Sequence, residues 1–244
     1  AIAGTSMGGV IGALYAAGLS AAEIERQVLV HASASGIRRM IDISLSYRGI
    51  VRGERIYNLI ADTIGSDLTF ADLDLPLAMV AVDAVSGTEV LLDQGRVVDA
   101  VRATISVPGI FQPVEVDNMV LIDGGILNNV PTDIAYRLGA EAVLAVDVMP
   151  DFSRNTPGEP LVEAAIDPPS LPNVLQEALH IEYIMISALT RCKLAAHPPD
   201  VLLRPGLEAT IDLLIGFDRA QEIIDAGESA AEAALPAIRT AIDR

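Results

Sequence analysis

Apolar residues form two kinds of pattern along this chain, helical spacing and continuous runs, and the two kinds alternate. Val10–Ala17 and Val97–Ile105 have the spacing of helices. Leu77–Val82 and Ala142–Val148 are continuous apolar runs of strand length, as expected for strands buried on both faces of a sheet. Strands that alternate with helices, without an internal repeat or a shift in composition, predict one α/β domain over residues 1–244 with a mostly parallel central sheet.

Local signals add boundaries to this pattern. Ser20 and Glu23 have capping-box spacing, which predicts a helix over Ala21–His31. Asp117-Asn118 predicts the turn of a hairpin. The other predicted elements are a helix over Glu54–Ile64 that ends at Gly65, strands over Glu89–Leu92, Val114–Val116, Val120–Ile122 and Val201–Arg204, helices over Pro131–Gly139 and Val174–Ala195, helical segments from Asp218 onward, and a loop over 150–172.

Composition excludes several classes of protein. Hydrophobic residues make up 51% of 244 residues and the mean hydropathy is +0.44, so the chain can bury a large core. The formal net charge of -17 has the wrong sign for a partner of nucleic acid and repels anionic lipid. No apolar run is long enough for a transmembrane helix. The single cysteine, Cys192, rules out an intrachain disulfide framework, and we expect it to be a buried small hydrophobe.

Gly4-Thr5-Ser6-Met7-Gly8 matches the pattern G-x-S-x-G, in which a strained turn from strand to helix exposes a serine hydroxyl. The flanking glycines, Gly4 and Gly8, would let the backbone pass without a Cβ clash. A helix that starts after Ser6 would point backbone N–H groups at a developing oxyanion. The alternatives are a glycine-rich helix start with a capping Ser and a phosphate-binding loop.

A serine nucleophile needs a base, and the chain offers two kinds. The histidines are His31, His180 and His197, and His197 follows the serine in the order of a Ser-Asp-His hydrolase. Asp123 ends an apolar strand and precedes Gly124-Gly125, which would hold its carboxylate at the edge of the sheet where ligands bind. An Asp serves as base only if burial raises its pKa or if the proton moves during the attack, and a turn or cap role is the alternative.

Two further acids, Asp83 and Asp147, also end apolar strands. Neither precedes Gly-Gly, so Asp83 is predicted to form a turn with Ser86 and Gly87, and Asp147 is predicted to be structural. No spacing of two histidines and a carboxylate indicates a metal site, and no cofactor is expected.

Three ordered blocks together resemble the patatin-like phospholipase family, in its bacterial branch similar to neuropathy target esterase. They are Gly4-Thr5-Ser6-Met7-Gly8-Gly9, the stretch from Arg102 to Pro113, and the stretch from Asp123 to Pro131. The resemblance covers residues 1 to about 150 well and the C-terminal helices loosely. It implies a three-layer α/β/α sandwich.

For the chemistry, the resemblance implies a Ser-Asp dyad that hydrolyses lipid esters such as those of phospholipids and lysophospholipids. Ser6 is then the nucleophile and Asp123 the proton acceptor, with Gly4, Met7, Gly8, Gly124 and Gly125 supporting the site. The family's G-G-G-x-[RK]-G oxyanion loop would lie before Ala1, so we expect an N-terminally truncated domain whose activity depends on that loop. The alternatives are a non-catalytic binding module and a Ser-Asp-His esterase.

Residues 37–55 combine arginines with apolar side chains and carry a local positive charge. This combination predicts a lid or a peripheral membrane contact, against the alternative of a solvated face with paired arginines. Fifteen Arg against one Lys is typical of a bacterial source, so the expected location is the cytoplasm or the membrane surface of a bacterium.

Overall fold

The computed structural model describes residues 1–32, 36, 39–43, 49–149, 173–206 and 219–243. The strands are β1 (Ile2–Thr5), β2 (Leu77–Asp83), β3 (Thr88–Leu92), β4 (Val114–Val116), β5 (Met119–Asp123), β6 (Leu144–Val146) and β7 (Val201–Leu203). The helices are α1 (Met7–Ala16), α2 (Ala21–His31), α3 (Glu54–Ile64), α4 (Val97–Thr104), α5 (Gly125–Asn128), α6 (Thr132–Arg137), α7 (Asn173–Ala196) and α8 (Ala220–Ile242), with a 3-10 turn at Phe70–Asp72.

Most predicted elements appear within a few residues of their expected bounds. In the predicted capping box, the Ser20 hydroxyl accepts the Glu23 N–H at 3.3 Å and the Glu23 carboxylate accepts the Ser20 N–H at 2.9 Å. Asp117 and Asn118 both have positive φ, as a tight hairpin turn requires. Strand β6 is shorter than its apolar run, and the burial on both faces expected for it is wrong, because Leu144 and Val146 are exposed and only Ala145 is buried. The predicted loop over 150–172 lies outside the described residues.

Strand β2 is the centre of the main sheet, which is mixed. It pairs in parallel with β1, and antiparallel with β3 and β5; β5 in turn pairs antiparallel with β4. Strand β3 lies along one edge of β2, so β1 and β5 share the other edge. Strands β6 and β7 form a separate parallel pair.

Helices cover both faces of β2, which is buried along its whole length. Leu77 and Met79 face a core formed mainly with α1, α3 and α4, whereas Ala78 and Val80 pack on the other face against Ile134 of α6. The predicted double burial of this strand is therefore confirmed, and the chain has the α/β class that the alternating periodicities predict.

Part of the 37–55 stretch is held by hydrogen bonds to the domain. The Asp42 carboxylate accepts the N–H groups of Gly53 and Glu54 at 2.8 and 2.9 Å, which caps the start of α3. The Arg55 guanidinium donates to the carbonyls of Arg39 and Ile41 at 3.2 and 3.0 Å. Residues 37, 38 and 44–48 of this stretch lie outside the described residues.

The prediction for Cys192 is wrong, because the thiol is exposed. Helix α7 buries Ile186, Thr190 and Leu194, which are four residues apart and share one face, and Cys192 lies off that face. Within the described ranges, no helix combines the length and hydrophobicity that crossing a membrane requires.

Candidate active site

Ser6 occupies a sharp turn between β1 and α1. Its backbone has φ 52° and ψ -124°, a combination that costs a non-glycine residue about 1–3 kcal/mol and persists only where the surroundings enforce it. The turn places Ser6 at the N-cap of α1, so the N–H groups of Met7 and Gly8 belong to the first helical turn, where the helix supplies no acceptor. This is the geometry predicted from G-x-S-x-G.

The two motif glycines have different roles. A Cβ on Gly4 would come within 2.6 Å of the Gly8 carbonyl oxygen, so only glycine fits where β1 meets the helix. A Cβ on Gly8 would meet no described atom within 4 Å outside its own helix. The crowding predicted for both positions therefore holds for Gly4 alone.

Strand register brings Asp123 to Ser6. On the shared edge of β2, Thr5 pairs with Val80 and Asp123 pairs with Ala81. Strands β1 and β5 thus run toward each other and end opposite adjacent residues, whose Cα atoms are about 3.8 Å apart. The residue after Thr5 is Ser6, so the two candidate residues lie at the junction of two strand ends.

The Asp123 carboxylate is buried and accepts the Gly125 N–H at 2.7 Å. Burial raises the pKa of Asp123 to about 6, although the neighbouring Ser6 side chain and the Gly125 N–H act to lower it. A Cβ on Gly124 would collide with the Val80 carbonyl oxygen, which explains why the chain needs glycine directly after this acid.

Thr104 connects the serine turn to the central strand. Its hydroxyl oxygen accepts the Ser6 N–H at 2.9 Å and its proton goes to the Val80 carbonyl at 2.6 Å. Val80 is the residue of β2 opposite the end of β1, so Thr104 satisfies backbone groups at the junction. Sequence reasoning missed this residue as a site residue, although it lies within the second motif block.

Asn128 also forms hydrogen bonds that support the serine turn. Its backbone carbonyl accepts the Thr5 hydroxyl at 2.7 Å, and its side-chain amide donates to Asp133 at 2.9 Å. Lys193 of α7 lies 3.6 Å from Asp133 and 2.8 Å from Glu89. Hydrogen bonds and an ion pair therefore connect Thr5 to α5, α5 to α6, and α6 to α7. No sequence pattern indicated this connection.

No histidine of the described residues is among the groups that shift the pKa of Asp123. His197 is exposed; its N–H donates to the Lys193 carbonyl at 2.8 Å and its carbonyl accepts the Thr132 hydroxyl at 2.7 Å. Asp123, by contrast, accepts the Gly125 N–H and lies next to Ser6. His31 ends α2 and His180 is part of α7.

The two other strand-end acids have structural roles, as predicted. The Asp83 carboxylate accepts the N–H groups of Val85, Ser86 and Val120 and the Ser86 hydroxyl, and these hydrogen bonds lower its pKa to about 2. Asp147 forms an ion pair with Arg204 at 3.0 Å. Among the described residues, no group of histidines, cysteines and acids is arranged to hold a metal ion.

A second carboxyl group near Asp123 was not predicted. Glu182 of α7 lines a cavity of about 260 Å³ together with Pro108 and Ile126, and burial and the charge of Asp123 raise its pKa to about 7. Ile126 follows Asp123 by three residues, and Pro108 lies two residues after Ser106, whose carbonyl accepts the Asp123 N–H at 3.0 Å. The cavity therefore adjoins the dyad.

The part of the sequence that forms this strained serine turn and buried carboxyl matches a known family. The family model described as patatin-like phospholipase matches residues 1–136, more than half of the chain. The chain belongs to the patatin-like phospholipase family. The matched residues include the serine turn, Thr104 and Asp123, and the helices on both faces of β2 agree with the three-layer fold of patatin-like proteins.

Three relatives place this patatin-like chain near the NTE family proteins. It is 35% identical over 151 residues to an uncharacterized NTE family protein of Mycobacterium tuberculosis, covering 60% of this chain and 40% of the relative. A second such protein of that organism is 27% identical over 245 residues, covering 96% of this chain and 41% of the relative. Mouse patatin-like phospholipase domain-containing protein 6 is 31% identical over 151 residues, covering 60% of this chain and 11% of the relative. The chain thus spans less than half of each.

The hydrogen bonds of Thr104 generate a prediction about the serine turn. Thr104→Val leaves the Ser6 N–H and the Val80 carbonyl without their partner, which we expect to lower the free energy of unfolding by about 1–3 kcal/mol. Thr104→Ser keeps the hydroxyl and serves as the control. Urea denaturation measures the stability, and the rate of fluorophosphonate labelling at Ser6 measures the turn. Equal labelling rates in Thr104→Val and the wild type would contradict this role.

Proposed function

We propose that this chain is a serine acyl hydrolase that cleaves carboxylic esters of lipids, of phospholipase A or lysophospholipase type, through a dyad of Ser6 and Asp123. The observation that carries the proposal is the juxtaposition of Ser6, on a strained turn at a helix N-terminus, with the buried Asp123 carboxylate at the end of the neighbouring strand. The influence of the Ser6 side chain on the pKa of Asp123 supports it. The family model and the names of the relatives support a lipid ester as substrate.

In the first step, the Ser6 oxygen attacks the acyl carbonyl carbon while Asp123 accepts the hydroxyl proton. The negative charge that develops on the carbonyl oxygen is stabilised by the first-turn N–H groups of Met7 and Gly8. Asp123 then returns the proton to the departing alcohol, which leaves an acyl ester on Ser6.

In the second step, water replaces the alcohol. Asp123 takes a proton from the water as its oxygen attacks the acyl carbonyl, and Ser6 leaves with that proton. The acid is released and the dyad returns to its starting state. Each half reaction uses the same carboxylate first as base and then as acid, so the mechanism needs a group whose pKa lies near neutrality.

Burial gives Asp123 that property. A carboxyl at its ordinary pKa near 3.9 is too weak a base for an alcohol. With a pKa of about 6, Asp123 is still ionised at neutral pH and holds a proton more firmly once it has accepted one. The same burial limits competing hydration of the carboxylate.

We also propose that the 37–55 stretch contacts a lipid surface. Ile43 is 71% exposed, and Ile41 and Ile50 are also exposed, so the described part of the stretch presents apolar side chains to solvent. Apolar side chains that enter the interface, next to arginines, are typical of peripheral membrane contacts.

A non-catalytic binding module with the same fold is the second candidate, and dyad variants distinguish the two. We expect Ser6→Ala and Asp123→Asn each to reduce kcat/KM for a soluble ester at least 10³-fold, because each removes one partner of the proton transfer. His197→Ala is the control and stays within about twofold of the wild type. A stoichiometric fluorophosphonate adduct on Ser6, located by peptide mapping, checks the nucleophile. Turnover retained in either dyad variant would refute the dyad, and loss in His197→Ala would favour the Ser-Asp-His esterase.

The pKa of Asp123 predicts the dependence of activity on pH. Because the base must be ionised, kcat/KM should be constant above about pH 7 and fall about tenfold per unit below about pH 6. This fall in kcat/KM at low pH should persist in Glu182→Gln. The pKa of Glu182 is higher than that of Asp123, so Glu182 is neutral in the pH range where Asp123 ionises. If kcat/KM falls only near pH 4, or if the fall disappears in His197→Ala, a group other than Asp123 is the base.

The lipid contact is tested by binding alone. Replacing Ile41 and Ile43 together by Ser should weaken binding to phosphatidylcholine vesicles about tenfold, because the variant loses apolar surface that enters the bilayer. Val85→Ser removes an equally exposed side chain from the turn after β2 and is the control. Co-sedimentation with vesicles gives the affinities. Unchanged binding of the double variant would exclude this stretch as the contact.

A further inference from the structure

The cavity beside the dyad has an apolar wall with one ionisable group. Its lining consists of Glu182 and six apolar residues, which are Pro108, Ile126, Ala178, Ile181, Met185 and Ile186. With a volume of about 260 Å³, it is close to the smallest size usual for pockets that bind small ligands. A substrate group that lies in it contacts hydrocarbon side chains and a single carboxyl, with part of the group open to solvent.

Glu182 and Asp123 share this region. Glu182 is half-buried on α7, and Asp123, the last residue of β5, is close enough to act on it electrostatically. The raised pKa of Glu182 has burial as its main cause and the negative charge of Asp123 as the second. Above neutral pH the cavity and the dyad together therefore carry two carboxylates.

We propose that Glu182 determines the charge selectivity of the ester site, so that the site favours neutral, zwitterionic or cationic esters over esters with a net negative charge close to the scissile bond. The inference rests on the proposed function and narrows its substrate class. In a partly buried site an added negative charge is repelled by Glu182 and Asp123 with little screening, whereas a positive charge is attracted. Asp123 is needed for the chemistry, so Glu182 is the group through which selectivity can change without removing the base.

The experiment uses three phenyl butyrates that differ only at the meta position of the alcohol part: hydrogen, trimethylammonio and carboxylate. At pH 8 both carboxyl groups of the site are ionised. The kcat/KM of each charged ester is divided by that of the neutral ester, and each ratio is compared between variant and wild type. This double ratio cancels the different intrinsic reactivities of the esters.

We expect Glu182→Gln to raise the anionic-to-neutral ratio about tenfold and to lower the cationic-to-neutral ratio about tenfold. Glu182→Leu should give the same direction, and Glu182→Asp, which keeps the charge, should stay close to the wild type. Glu177→Gln makes the same change of net charge at an exposed position of α7 and should leave both ratios within about twofold.

The outcomes separate this inference from the function on which it rests. If the wild type cleaves the neutral ester but Glu182→Gln and Glu182→Leu leave both ratios within twofold, the role of Glu182 is refuted and the hydrolase stands. If Glu177→Gln shifts the ratios as much as Glu182→Gln, net charge explains the effect and the assignment to Glu182 also fails. If the wild type cleaves none of the esters and its Ser6 takes no fluorophosphonate, the proposed function fails, and this inference fails with it.

Discussion

Two strands share one edge of β2, and the site depends on this constraint. Parallel pairing with β1 ends at Val80, and antiparallel pairing with β5 begins at Ala81, so the two strands meet end to end. Hydrogen-bond register fixes their separation more firmly than loop contacts would. Ser6 and Asp123 are 117 positions apart in the chain, yet the register of one buried strand brings them together.

The junction also combines two energetically unfavourable features. Ser6 has a backbone conformation that a non-glycine residue rarely adopts, and the Asp123 carboxyl is buried at a cost that its raised pKa reflects. The surrounding structure compensates. Thr104 and Asn128 form hydrogen bonds to the backbone or side chains of the serine turn, and β2 is packed between helices on both faces. Strain confined to a well-supported site is characteristic of groups held ready for reaction.

Helix α7 links the site to the outer layer of the fold. Lys193 near its end interacts with Asp133 and Glu89, which connects the helix to α6 and β3, while Ile181, Glu182 and Met185 line the cavity. Helix α7 is thus connected to the serine turn through Asp133, and it also lines the cavity near Asp123. Changes in α7 can therefore alter the cavity while the strand register that holds the dyad stays the same.

The sequence by itself determined the α/β class and most element bounds, and it singled out Ser6 and Asp123 as candidate residues. Those inferences used short-range physics: helical periodicity, capping at Ser20, the apolar run of β2, and glycines beside Ser6 and Asp123 where backbones approach closely. Only the tertiary structure decided that β1 and β5 share an edge, that Thr104 bridges Ser6 to Val80, and that Glu182 lies near Asp123. These are contacts between distant segments, and a lone Thr or Glu inside a helix has no local pattern that shows what it will face. Burial decided the pKa of Asp123 for the same reason, because the surroundings of a carboxyl group come from the whole fold.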